Sequence, residues 1–118
     1  MKANELMIGD WVNETYEAID GNMYEQEKQV GIYDFNDAKN FEPIEITPEI
    51  LEKNGFIRYG MSDVYGFECL GLNNTININN HDCTVRGKHT TINKQNMLYV
   101  HTLQHALRLC KIDKEIEL

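Results

Sequence analysis

Residues 47–55, Thr-Pro-Glu-Ile-Leu-Glu-Lys-Asn-Gly, spell out a short helix with both of its ends. Thr47 is an N-cap whose hydroxyl accepts from an unpaired amide of the first turn. Pro48 suits the first helical position, where no amide hydrogen is needed. Glu49 favours the positive end of the helix dipole. Asn54 and Gly55 supply the left-handed stop. This helix divides the chain into two stretches with the same strand-like pattern, residues 1–46 and 57–95. A second helix closes the sequence over residues 97–112, clearest from Tyr99 to Lys111. There Val100, Leu103, Leu107 and Cys110 follow the i, i+3, i+7, i+10 spacing of one apolar stripe, flanked by Ala106 and Leu109.

The expected fold is therefore α+β: an N-terminal, SH3-like or barrel-like antiparallel sheet over 1–46, a connecting helix over 47–56, β-hairpins over 57–95 and a packing helix over 97–112. At 118 residues the whole is read as one domain. Within 1–46, Gly9-Asp10 breaks Leu6-Met7-Ile8 from a strand starting at Trp11-Val12. Asp20-Gly21 predicts a tight hairpin, because its central residues need positive φ. The polar run Glu25-Gln26-Glu27-Lys28 leads into an apolar strand at 30–35. Residues 36–40 form a turn, and the last strand runs over 41–46 with Pro43 at an edge or strand end. In 57–95, Tyr65, Phe67 and Cys69 alternate along one strand and Ile76 and Ile78 along the next. Asn80-His81-Asp82 turns into a returning strand with Thr84, Arg86, Lys88 and Thr90 on one face. Residues 112–118 carry no readable pattern.

Charge separates the halves. The net charge is −8; residues 1–60 hold 13 acidic and 5 basic residues, and residues 61–118 hold 6 of each. An acidic half repels polyphosphate. The sign reverses within 73–112, where Arg86, Lys88, Lys94, Arg108 and Lys111 stand against Asp82 and all four histidines lie. No apolar run approaches the roughly 18 residues of a membrane span. Met1 to Glu5 lead into no apolar segment of a secretory signal. Cys69, Cys83 and Cys110 are odd in number and lack a C-x-x-C spacing, which fits reduced thiols and a cytoplasmic location.

No complete catalytic or cofactor motif is present. His101 and His105 share a helix face, but a zinc-protease motif needs glutamate where Thr102 stands. A catalytic zinc needs three protein ligands, and only His81 and His89 remain to supply a third. His101 and His105 read as ordinary boundary histidines. With Gln104 and Arg108 they extend a polar face that is a candidate binding surface. Cys83 lies near His81, but neighbouring side chains on a strand point apart, and it reads as structural. Trp11 reads as core. The glycines have neither P-loop nor dinucleotide spacing.

Three blocks carry a family resemblance. They are Lys2-Ala3-Asn4-Glu5-Leu6-Met7-Ile8-Gly9-Asp10-Trp11-Val12, then Pro43-Ile44-Glu45-Ile46-Thr47-Pro48-Glu49-Ile50-Leu51-Glu52-Lys53-Asn54-Gly55-Phe56, then Tyr99-Val100-His101-Thr102-Leu103-Gln104-His105-Ala106-Leu107. In that order they resemble a family of small uncharacterised proteins encoded in gut anaerobes and in their phages and mobile elements. Residues 57–95 match nothing in it. The resemblance implies a single compact domain and brings no activity. The first block also resembles the opening strand of SH3-like and KOW-like barrels.

The expected function is that of a non-enzymatic accessory protein that binds another protein, without cofactor or metal and outside the membrane. An acidic DNA mimic displaying residues 14–52 is a variant of that reading. The alternative is a nucleic-acid-associated module contacting phosphates through Arg86, Lys88 and Lys94. A metal-dependent hydrolase using His101 and His105 stands third.

Overall fold

The structure, a computed structural model, describes residues 1–59, 66–71, 74–79, 82–87, 90–94, 99–112 and 114–118. Among them the fold is α+β, with open antiparallel sheets. The chain divides into two compact units. One comprises Met1–Glu45 with Tyr99–His101, the other Ile46–Leu98 with Thr102–Leu118.

In the first unit β1 (Trp11–Glu17), β2 (Met23–Gln29) and β3 (Phe41–Pro43) form a sheet in the order β2-β1-β3. The sheet does not close, so the expected barrel is replaced by an open three-stranded sheet. Leu6, Val12, Val30, Ala38 and Phe41 form its buried core, with Met1 and Phe35 packed against them. Short 3-10 segments occupy Ala3–Glu5 and Phe35–Asn40, the second where the sequence suggested a turn over 36–40. Pro43 ends β3 as its missing amide requires. Ile44 and Val100 are joined by a Val100 N–H donating to Ile44 O at 2.8 Å.

The polar run 25–28 is not a connector: it lies inside β2. The apolar run 30–35 is not a strand. Its Val30 is buried, but Asp34 accepts from Gly31 N–H at 2.6 Å and turns the chain into the 3-10 segment.

The second unit contains α1 (Pro48–Lys53) and β4 (Ile57–Tyr59), β5 (Gly66–Gly71), β6 (Asn74–Asn79), β7 (Asp82–Arg86) and β8 (Thr91–Lys94), paired in sequence order as an antiparallel meander. Thr47 caps α1 as its sequence predicts, its Oγ1 accepting from Ile50 N–H at 3.2 Å. At the other end Phe56 N–H donates to Leu51 O at 3.0 Å and Gly55 N–H to Glu52 O at 3.2 Å. That pair of bonds is a Schellman stop, and the buried Leu51 and Phe56 supply its apolar contact.

The final helix, α2, spans Val100–Leu109. Its stripe residues Val100, Leu103, Leu107 and Cys110 are buried with the flanking Ala106, while Leu109, expected on the other flank, is exposed. The helix ends in a second Schellman stop, Ile112 N–H to Leu107 O at 2.9 Å and Lys111 N–H to Arg108 O at 3.0 Å. Lys111 holds the left-handed position with φ 56°. Beside this end, Cys110 Sγ donates to Val85 O at 3.5 Å. A side chain at Gly87 would bring its Cβ within 2.2 Å of Cys110 O. Glycine is required there by space, because residue 87 lies against the backbone of Cys110. Cys110 is thus a small buried hydrophobe, as expected.

No helix among the described residues is long and apolar enough to cross a membrane.

Candidate functional site

Two of the four α2 residues singled out from sequence are buried. His101 and Gln104 are each only 6% exposed, whereas His105 and Arg108 are half-buried. The expected polar face of α2 is therefore turned inward at two of its four positions. The physical reason is the width of the covered arc: at 100° per residue, burial reaches past the apolar stripe to positions 101 and 104. The His101 ring stacks on Tyr99 with centroids 5.9 Å apart. Among the described residues no group of three or more His, Cys, Asp or Glu could hold a metal ion. His81 and His89 lie outside the described residues, as does Lys88.

Two residues of the phosphate-contact trio lie on described strands, Arg86 at the end of β7 and Lys94 at the end of β8. Arg86 is exposed and pairs with Thr91; Lys94 pairs with Cys83. Positions 84, 86, 91 and 93 fall on one face of the β7–β8 ladder, and 83, 85, 92 and 94 on the other. The returning strand also stops earlier than the sequence suggested. β7 is described as far as Arg86, and Gly87 N–H donates to Thr90 O at 2.7 Å.

The structure instead draws attention to the β1–β2 ribbon. β3 pairs only with Val12, Asn13 and Glu14. From Thr15 onward β1 and β2 continue as a two-stranded arm, with Thr15↔Glu25, Tyr16↔Tyr24 and Glu17↔Met23. Its tip differs from a two-residue hairpin turn. Gly21 N–H donates to Ala18 O at 2.9 Å and Ala18 N–H to Asn22 O at 3.0 Å, enclosing a three-residue loop. Only Gly21 in that loop has positive φ, 83°. This is the type I turn with a following left-handed residue that three-residue hairpin loops use. Asp20 accepts from Asn22 N–H at 2.9 Å and from Tyr24 O–H at 2.8 Å. Those two hydrogen bonds, the backbone one first, hold its carboxyl below the usual carboxylate range.

Comparison with protein-family models, curated proteins and solved structures finds no match. The candidate surface therefore stands on its own chemistry. Residues 11–27 hold five carboxylates, Glu14, Glu17, Asp20, Glu25 and Glu27, and no basic side chain. Tyr16, Ile19, Met23 and Tyr24 are exposed on the same arm. The two tyrosine rings lie 6.0 Å apart across the strands. A second exposed apolar group, Met7, Ile8, Ile32 and Tyr33, lies on the two loops at the base. Those loops are tied by Gly9 N–H to Val30 O at 2.7 Å and Val30 N–H to Asp10 O at 2.8 Å.

Where the arm meets its base, Lys28 Nζ donates to Asp34 Oδ1 at 2.8 Å and sits 3.5 Å from Glu14 Oε2. Gln26 Nε2 donates to Glu14 Oε1 at 2.8 Å. The Lys28 hydrogen bond, then that from Gly31 N–H, lowers the Asp34 pKa; the same contact raises that of Lys28. A depressed native carboxyl pKa stabilises the fold above the unfolded value near 3.9. That contribution is lost as pH falls through the lower native value. Urea midpoints should therefore fall more between pH 5 and about pH 2.5 for the native chain than for Asp34→Asn. Equal acid sensitivity would exclude this ion pair as a source.

The hairpin expected at Asp20-Gly21 is present, but its second strand runs on through the polar residues 25–28. The available signal was the Asp20-Gly21 turn. Once it folds back, the strand beginning at Trp11 must pair with whatever follows, apolar or not.

Proposed function

We propose that this chain is a non-enzymatic accessory protein that acts by binding another protein, and that the β1–β2 arm makes the contact. The observation that carries this reading is the arm itself: a two-stranded projection with exposed Tyr16, Ile19, Met23 and Tyr24 among five carboxylates. Exposed apolar side chains rimmed by polar ones mark interaction surfaces. Tyrosine is favoured at interfaces because it offers apolar area with a polar tip. The three sequence blocks resembling proteins of gut anaerobes, phages and mobile elements fit an accessory role in such an element. The concentration of negative charge makes a cationic protein a better partner than a polyphosphate.

The test is affinity recovery from a lysate of the native host, with and without nuclease. It uses the native chain and a Met23→Ser, Tyr24→Ser double variant. Both positions are exposed, so the variant retains the fold. The expected result is a stoichiometric protein that survives nuclease and is lost with the variant. Recovery that disappears with nuclease would overturn the reading in favour of nucleic-acid association. Equal retention by the variant would remove the arm from the contact.

A further inference from the structure

We infer that the outer edge of β2 is completed by one extended, cationic strand of the partner protein, added antiparallel or parallel to the sheet. This rests on the protein-binding reading above and names the chemistry of the partner.

The hydrogen bonds at the two ends of the ribbon settle which backbone groups face outward. Ala18 N–H donates to Asn22 O, and Val30 N–H donates to Asp10 O. Both are bonded cross-strand pairs, and bonded pairs recur at every second position of an antiparallel ladder. The bonded positions between them are Val12↔Lys28, Glu14↔Gln26 and Tyr16↔Tyr24. The backbone groups of Tyr24, Gln26 and Lys28 therefore turn toward β1. Those of Met23, Glu25, Glu27 and Gln29 turn away from it. Among the described residues no strand pairs with that edge, and residues 23–27 are all exposed. A row of outward N–H and C=O groups is a template for strand addition.

The side chains on this edge select against a second copy of the chain. Antiparallel self-pairing must set outward residues against one another. Centred on Glu25, it places Glu25 opposite Glu25. Centred on Gln26, it places Glu25 opposite Glu27 twice. Centred on Glu27, it places Glu27 opposite Glu27. Like charges directly opposite destabilise a ladder, while opposite charges support it. The same two carboxylates that repel another β2 therefore favour lysine or arginine at alternate positions of an incoming strand. Between those positions the strand meets the other face of the ribbon, where Tyr16 and Tyr24 are exposed. The fitting sequence alternates cationic residues with β-branched or apolar ones.

The experiment titrates the full 15N-labelled chain with a capped heptapeptide alternating lysine and valine, and with its glutamate-for-lysine counterpart. Amide shifts and hydrogen exchange are read residue by residue. The expected result is exchange slowed at least roughly tenfold at the Met23, Glu25, Glu27 and Gln29 amides by the lysine peptide alone. A Glu25→Lys, Glu27→Lys variant should lose this response and gain one to the glutamate peptide. Unchanged exchange at those four amides would overturn the inference, as would equal responses to both peptides. If the lysine peptide fails while the Met23→Ser, Tyr24→Ser variant still loses the captured protein, strand addition is wrong and the protein-binding reading stands. If no protein is captured and neither peptide acts, both fall.

Discussion

Replacing Phe41 by alanine should cost the first unit about 3–5 kcal/mol, the usual penalty for removing a fully buried phenylalanine side chain. Phe41 is only 1% exposed and lies in β3 opposite Glu14. It is the largest of the five buried residues, Leu6, Val12, Val30, Ala38 and Phe41, that make this core. So small a core has few neighbours able to collapse into the cavity, and the cavity adds to the lost transfer energy. Domains of ordinary size are stable by only about 5–15 kcal/mol, so this substitution would remove a large share of the margin. Trp11, the single tryptophan, is half-buried on β1 and reports this unit directly. Urea denaturation followed by its fluorescence should show a much lower midpoint for Phe41→Ala. A loss below about 1 kcal/mol would show that this cluster does not hold the sheet together. Phe35→Ala, at a half-buried position packed on the same cluster, is expected to cost less.

The two helices were legible because their signals are local. Thr47, Pro48, Asn54 and Gly55 each meet a requirement within one turn, and the structure answers each of them. The extension of β2 beyond the Asp20-Gly21 hairpin was not legible because hydrophobic patterning reports burial rather than pairing. Residues 25–28 are polar, since an edge strand with both faces largely wet needs no apolar alternation. The run Val30, Ile32 and Tyr33 misleads for the converse reason. Ile32 and Tyr33 are exposed, and only Val30 is inside. Lys111 stops the helix with its left-handed backbone, a role usually signalled by glycine and so not visible in this sequence. For the candidate site, the excess of carboxylates was plain from composition. The register of β1 against β2 was not, because it depends on whether the Asp20-Gly21 loop holds two residues or three. A two-residue loop would pair Ile19 with Asn22, whereas the observed loop pairs Ala18 with Asn22 and moves every β1 partner by one.

Asn54 carries the second large effect, and the sequence showed only half of its role. It was legible as part of a helix stop. In the structure its buried side chain also brackets the backbone of residue 117. Nδ2 donates to Ile50 O and to Glu117 O, each at 2.7 Å, and Oδ1 accepts from Glu117 N–H at 2.7 Å. The pair of bonds to Glu117 imitates one rung of a β-ladder, made by a side chain. Around it Ile116 is buried, Lys114 Nζ lies 6.0 Å over the Phe56 ring, and Lys53 Nζ donates to Leu118 O. Asn54→Ala removes three hydrogen bonds and leaves their backbone partners to find water or remain unsatisfied. The expected loss is about 2–4 kcal/mol, with residues 114–118 released together. Chemical denaturation measures the first effect, and faster tryptic cleavage after Lys114 reads the second. Asn54→Asp sharpens the argument. It keeps an acceptor for Glu117 N–H but turns a second carboxylate oxygen toward the carbonyls of Ile50 and Glu117, so it should be no more stable than alanine. If aspartate matches the native chain, the donor half of the bracket contributes nothing, and the apolar contact of Ile116 alone holds this segment in place.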